Sequence, residues 1–220
     1  MTFDTAKEIV DKYLAILAAH GKAVAEVNFG GGEPLLAWNV IHKVLEYCTT
    51  AYGDRFRFVF SINTNGSLIT EPVAAALTQY GVHVAISLDG LKEANDKVRV
   101  TNAGKGTFDL ILRGFRSLEA VGNPTDGFAV TLNERNFDQL DESLIDWAAS
   151  RGMSEVRIDI DVIDMLDVPL DTIVSRLMRV RRYAKSLNID IAGFWARPFE
   201  GMNTSPLVDQ VGFCGAVKSV

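Results

Sequence analysis

Cysteine is scarce in this chain of 220 residues: there are two, Cys48 and Cys214, far apart in sequence. Two isolated thiols cannot build a disulfide framework, and the usage suits a reducing, cytoplasmic setting. Positive charge is also in short supply. Twenty-two Lys and Arg against 28 Asp and Glu leave a formal net charge of −6, so a nucleic-acid footprint is not expected. No apolar run approaches the roughly 20 residues that a membrane span needs. The acidic start Met1-Thr2-Phe3-Asp4 does not read as a signal peptide. The three histidines, His20, His42 and His83, show no ligand spacing and read as structural. There is no internal repeat. What the chain does have is apolar content, 48% of its residues, enough for one domain with a full core.

The chain is organised around Val27-Asn28-Phe29-Gly30-Gly31-Gly32-Glu33-Pro34-Leu35-Leu36. It reads as a buried strand, a glycine turn, one acid, and a proline opening a helix. Three glycines let a ligand lie against bare backbone. Three uses of such a turn compete. A dinucleotide loop fits Gly30 and Gly32, but its last glycine position is Leu35, and the acid and proline interrupt the amide cradle. A site for a small cationic or zwitterionic ligand would use Glu33 and backbone carbonyls as acceptors for an ammonium. A purely structural turn would make three glycines an entropically costly choice.

Helical periodicity over Thr5 to Ala19 predicts a first helix, capped by Asp4 and stopped by Gly21. Val24 to Phe29 is then a strand, and Val40 to Cys48 carries a helical apolar stripe that makes Cys48 a core residue. Phe56 to Ile62, Val82 to Ser87, Gly127 to Leu132, Val156 to Val162 and Ile189 to Phe194 read as further strands. Helices fall between them, one capped by Thr70, one by Thr107, one running through Leu140 to Ala148, and one from Pro169 to Leu187. The alternation predicts an α/β fold with a parallel sheet, open or closed towards a barrel. Polar or glycine-rich sets stand at four strand ends: Gly30 to Glu33, Asn63 to Gly66, Ser87 to Gly90, and Thr131 with Asn133. In both architectures chemistry gathers there. Asp159 and Asp161 share a face of the fifth strand with Arg157. If that face points inward they are candidate catalytic or substrate-binding acids. Asp164 follows them, and a metal site there would need further oxygen ligands. The basic run Arg176, Arg179, Arg181, Arg182 and Lys185 reads as the exposed face of its helix.

Phe29-Gly30-Gly31-Gly32-Glu33-Pro34, Asn63-Thr64-Asn65-Gly66, Ile86-Ser87-Leu88-Asp89-Gly90, Asn95-Asp96-Lys97-Val98-Arg99 and Gly104-Lys105-Gly106-Thr107-Phe108 occur in that order. In this the chain resembles the radical S-adenosylmethionine (SAM) enzymes, and among them the peptide and protein maturases with a SPASM or twitch extension, such as anaerobic sulfatase maturases. The resemblance implies a partial (β/α)6 TIM-like barrel over residues 1–194, then a linker and the start of the extension over 195–220. It implies SAM as cofactor, cleaved reductively at a [4Fe-4S] cluster to a 5′-deoxyadenosyl radical that abstracts hydrogen from a peptide or protein substrate. A reductant such as flavodoxin or ferredoxin is implied as partner. By the same resemblance Gly31, Gly32 and Glu33 receive the methionyl ammonium. Ser87 and Arg99 are candidates for the carboxylate, with Ser87 also near the ribose. Asn65, Thr131 and Asn133 are candidates for ribose or substrate. The family often has His where Asn95 stands.

The chain departs from the family in lacking a C-x-x-x-C-x-x-C loop and the strand before it, since Met1 stands where the following helix starts. Two distant cysteines cannot replace three close thiolates, so the chain alone is expected to hold no catalytic cluster and to be inactive. Phe213-Cys214-Gly215-Ala216 resembles the opening of the extension, and by that resemblance Cys214 is a candidate auxiliary-cluster ligand in a longer parent. An open edge is expected at Val24 to Phe29, covered by the C-terminal segment or by a second copy in a dimer. Two other readings remain at this stage: a binding protein that has lost its cluster, and a metal-dependent α/β-barrel lyase or aldolase using Asp159 and Asp161.

Overall fold

A computed structural model describes residues 1–161 and 166–196. Helix α1, Phe3–Ala19, precedes strand β1, Val24–Phe29; a 3-10 turn, Pro34–Ala37, runs directly into α2, Trp38–Tyr52. Then come β2 (Arg57–Thr64), α3 (Glu71–Gln79), β3 (His83–Ser87), α4 (Lys92–Val98), α5 (Phe108–Ala120) and β4 (Gly127–Leu132). The order closes with α6 (Glu142–Ser150), β5 (Glu155–Ile160), α7 (Leu170–Ser186) and β6 (Asp190–Ala192). The six strands are all parallel and lie in sequence order, β1 to β6. A doubly wound sheet reverses its order at a switch point. Here the order never reverses, so right-handed crossovers keep the helices on one side and the sheet curls as an arc of a barrel.

Alternation along each strand explains the two faces. Outward positions are apolar and buried under the helices: Ala25, Phe60, Ile62, Val84, Ile86, Phe128, Val130, Val156 and Ile158. They meet the buried faces of α1 (Val10, Leu14, Leu17), α2 (Ile41, Leu45, Cys48), α5 (Ile111, Phe115, Leu118) and α7 (Leu177, Val180). Trp147 of α6 packs edge-on against Phe115 and Phe128. Cys48 is wholly buried there, and burial, with the Asp11 charge second, pushes its thiol up to about 12.

Local details differ from the sequence reading. Thr2 caps α1 by accepting from the Thr5 N–H, which leaves Asp4 in the first turn. Helix α4 was not foreseen; it is only seven residues long, too short for a periodic signal. Thr107 does not cap α5, because its hydroxyl donates to the Arg99 carbonyl, and Asp96 accepts from the Phe108 N–H instead. Leu140 falls outside α6. Arg176 and Arg179 are not simply a solvated face: Arg176 donates to the Phe137 carbonyl at 2.6 Å and Arg179 pairs with Glu142. Among the described residues β1 pairs only with β2, and the Tyr13 hydroxyl accepts from the Glu26 N–H. The segment expected to cover that edge, and Cys214 and Asp164, lie outside the described residues.

A polar knot ties α1 to α2. Asp11 accepts from the hydroxyls of Tyr47 (2.7 Å) and Tyr52 (2.9 Å) and from Lys7 (2.9 Å). The Tyr47 hydrogen bond, with those from Lys7 and Tyr52, holds the Asp11 carboxyl below its ordinary value. A carboxyl that is more acidic folded than unfolded stabilises the fold above its unfolded value and loses that contribution as pH falls through the folded one. We therefore expect Asp11→Asn to be less stable than the native chain at pH 7. The gap should shrink below about pH 4, where an unfolded aspartate begins to protonate. Urea melts of both proteins at pH 7 and pH 3 measure it; a gap that is constant with pH would refute it.

Candidate functional site

The inward face of the sheet is unlike the outward one. A cavity of about 750 Å³ lies against it, walled by Asn28, Ser61, Asn63, Ser87, Ala129 and Arg157. The lumen of an ordinary TIM barrel is filled by layers of branched side chains. Here small and polar residues leave it open. His83, Asp126 and Glu155 line it at the amino ends of the strands.

At the carboxyl mouth of β1, the turn Gly30-Gly31-Gly32 presents bare backbone. Gly31 has φ +123°, a conformation that side chains rarely adopt. Gly30 and Gly32 need no such conformation, and a Cβ built on Gly32 would meet nothing within 4 Å, while one on Gly30 meets only Asn28 Oδ1 at 3.9 Å. The packing of the described residues therefore does not require these two glycines, and among those residues open space stands over both.

Glu33 ends the turn and joins two strand mouths. Its Oε1 accepts from the Leu35 N–H at 3.0 Å, capping the short 3-10 turn, and from the Thr64 hydroxyl at 2.7 Å. Its Oε2 accepts from the Asn65 N–H at 2.8 Å. A carboxylate offers about four lone-pair positions, so three bonds leave Oε2 room for one more donor. Asn65 turns its side-chain oxygen back to the N–H and hydroxyl of Ser67. The loop is held tightly from behind, since α5 approaches so closely that a Cβ on Gly114 would lie 2.3 Å from the Gly66 carbonyl.

A second knot fixes the mouths of β3 and β4. The Asp89 side chain is 3% exposed. Its Oδ1 accepts from the Thr131 N–H at 2.8 Å and from Arg99 Nη2 at 3.3 Å, and Oδ2 lies 2.8 Å from Arg99 Nε. Buried Asn95 accepts from the Asp89 N–H, and buried Asn136 donates to the carbonyls of Asp89 and Thr131. Asn133 donates its N–H to Asn136 Oδ1 and accepts from the Arg135 N–H, so its side-chain oxygen serves its own loop.

The structure thus brings Gly31, Gly32, Glu33 and Asn65 together at one end of the row of mouths. Ser87 and Thr131 share the lumen face in the middle, and Asp159 stands beside Thr131 in register. Arg99 is turned to Asp89. Asp159 has both oxygens engaged, Oδ2 by Arg157 Nε at 2.5 Å and Oδ1 by the Phe194 N–H at 2.9 Å. Asp161 donates its N–H to the Leu132 carbonyl. Sequence reasoning passed over Thr64, Asp89 and Asn136 as individual site residues. Asp89 sits in an Asp-Gly pair that ordinary turns also use, and Asn136 bonds Asp89 from 47 residues away, where no local signal reaches.

Comparison with known proteins adds a family. A family model described as the radical SAM superfamily matches residues 1–146. The chain is 30% identical over 215 residues to the radical SAM cyclopropyl synthase TigE of Paramaledivibacter caminithermalis, covering 96% of this chain and 44% of that protein. It is 40% identical over 119 residues to the mycofactocin maturase MftC of Mycolicibacterium smegmatis, covering 53% of this chain and 28% of that one. Among solved structures, native anSMEcpe with bound AdoMet and Cp18Cys peptide superposes with a TM-score of 0.68 at 18% identity, over 82% of this chain and 52% of that one. The chain spans about half the length, or less, of the relatives it matches.

Proposed function

Because the chain belongs to the radical SAM superfamily, we propose that its strand mouths bind SAM and that it forms the core of a peptide- or protein-modifying enzyme. The observation that carries this reading is the open space over Gly30 and Gly32 beside Glu33. A methionyl ammonium fits there, between backbone carbonyls and the spare position on Oε2, by charge-assisted hydrogen bonds. Ser87 and Thr131 offer hydroxyls to the rest of the nucleoside along the lumen face, with Asn65 and Asn133 at its rim. Arg99 holds Asp89, and its remaining donors are the candidates for the methionyl carboxylate. The bound molecule supplies the 5′-deoxyadenosyl group; the chain binds it, orients it and walls the lumen around the substrate.

Peptide substrates are supported by the names of the relatives, a maturase and a sulfatase-maturase-type structure with bound peptide. An iron–sulfur cluster does not fit the residues at hand. The sequence has two cysteines, of which Cys48 is buried in α2. Among the described residues no three His, Cys, Asp or Glu side chains converge. The lyase reading finds less support, since Asp159 is already taken by Arg157 and Phe194. Among the described residues no helix is long and apolar enough to cross a membrane.

Calorimetric titration tests the site. SAM should bind the native chain, and Glu33→Gln should weaken it at least tenfold. Methylthioadenosine, which lacks the amino-acid end, should bind both proteins alike. Equal loss for both ligands would assign Glu33 to the fold of the loop alone, and no binding of SAM to the native chain would end the reading.

A further inference from the structure

The lumen contains a cation whose donors the described residues only partly use. Arg157, on β5, is the one Lys or Arg among the described residues lining the cavity. Its Nε is taken by Asp159 Oδ2 at 2.5 Å, and its guanidinium lies over the Phe194 ring with Cζ 5.3 Å from the centroid. Asp159 is itself anchored by the Phe194 N–H. The group is therefore fixed at its stem and on one face. A guanidinium carries five N–H donors. Among the described residues those on Nη1 and Nη2 make no hydrogen bond, and 38% of the side chain is exposed.

Register places the Arg157 backbone. Ser87 pairs with Ala129 and Ala129 with Arg157, so the three share one level of the lumen. Two strand spacings of about 4.8 Å put the backbones of Ser87 and Arg157 roughly 10 Å apart. Ala129 between them and Ala85 on β3 leave that space unfilled. The facing wall of Asn28, Ser61 and Asn63 carries no charge. The cavity's carboxylates Asp126 and Glu155 stand at its amino-terminal end. What fits a fixed guanidinium that lines such a space, with donors still open among the described residues, is a planar anion with two acceptor oxygens.

We propose that Arg157, oriented by Asp159, receives a carboxylate of the peptide substrate in the lumen. This rests on reading the site as that of a SAM-dependent peptide-modifying enzyme. The carboxylate of SAM is the rival occupant. The glycine turn assigned to its methionyl end lies at β1, four strands from β5 in the sheet order, which favours the peptide. A side-chain carboxylate and a chain terminus offer the same two oxygens, and the test separates them.

The chain is labelled with ¹⁵N and the arginine Nε–H signals are followed, with and without saturating SAM. Three probes are added: Ac-Gly-Asp-Gly-NH2, Ac-Gly-Gly-OH and the neutral Ac-Gly-Asn-Gly-NH2. At least one carboxylate probe should shift the Arg157 signal at a tenfold lower concentration than the neutral probe; which one does so identifies the source. For the variants, the shifts of the lumen backbone amides are followed instead. R157K and R157Q should abolish that preference, and D159N should weaken it while leaving SAM affinity unchanged. Equal response to all three probes would overturn the proposal. So would a shift caused by SAM alone together with weaker SAM binding by R157Q. Failure of SAM to bind at all would strike the cofactor reading instead, and the titration without SAM would still decide on Arg157.

Discussion

Asp89→Ala is expected to cost the fold about 3 kcal/mol, the lower end of what removing one partner of a buried ion pair costs. The magnitude follows from what is stranded. Asp89 is almost fully buried and holds Arg99, whose side chain is 26% exposed and so retains some water. Removing the carboxylate leaves a poorly hydrated guanidinium without its counter-charge, and it orphans the Thr131 N–H at the mouth of β4. A neutral hydrogen bond is worth only about 1 kcal/mol net; the abandoned charge dominates. Two comparisons isolate it. Asp89→Asn keeps the shape and an acceptor for Thr131 and should lose less. The double variant Asp89→Ala, Arg99→Met removes both charges and should be more stable than Asp89→Ala alone. Urea melts of the four proteins measure all three statements. A double variant less stable than the single one would show that Arg99 does not depend on Asp89 for its partner.

The strand mouths also show which parts of the fold the sequence makes legible. The strands declare themselves because their outward positions are apolar and their ends carry glycine and amide residues, as in Val24–Phe29 followed by three glycines. The choice of a barrel arc over an open sheet does not follow from that alternation, because both architectures share it; the unbroken strand order decides it. The acid at the first mouth was legible from its isolation among glycines, but not that Glu33 would spend three of its lone pairs on Leu35, Thr64 and Asn65. Those bonds need β2 beside β1, a fact of tertiary packing. For the same reason Asp159 reads in the sequence as a candidate catalytic or substrate-binding acid. Its sequence neighbours show Arg157 two residues away on the same face, yet only the fold brings the Phe194 N–H onto its second oxygen. Asn95 is one more position whose role the sequence leaves open. Here it is fully buried, accepts from the Asp89 N–H and donates to Thr107 and Asp96, so it acts as a joint between α4 and the mouth of β3.

Gly32→Val should weaken SAM binding by at least a hundredfold, about 2.7 kcal/mol, while leaving the urea midpoint almost unmoved. The two halves of that expectation come from one fact: a Cβ at this position meets no atom of the described residues within 4 Å. Substitutions away from packed, capped or strained positions usually stay within about 0.5 kcal/mol of the parent, and Gly32 does not have the positive φ that would add strain. The added isopropyl group would instead occupy the space next to the backbone, where a bound ammonium would need to lie. Gly31 would be a poor substitute for this test, because its φ of +123° makes any side chain costly whether or not a ligand exists. Gly30→Ala is a milder companion, with a 3.9 Å contact to Asn28 as the single neighbour of the added carbon. Calorimetry for affinity and urea denaturation for stability must be read together. If Gly32→Val loses stability and affinity in proportion, the turn is built for the fold. If it loses neither, no ligand touches this backbone. Loss of affinity alone would leave ligand contact as the reason for a glycine here, since packing among the described residues supplies none.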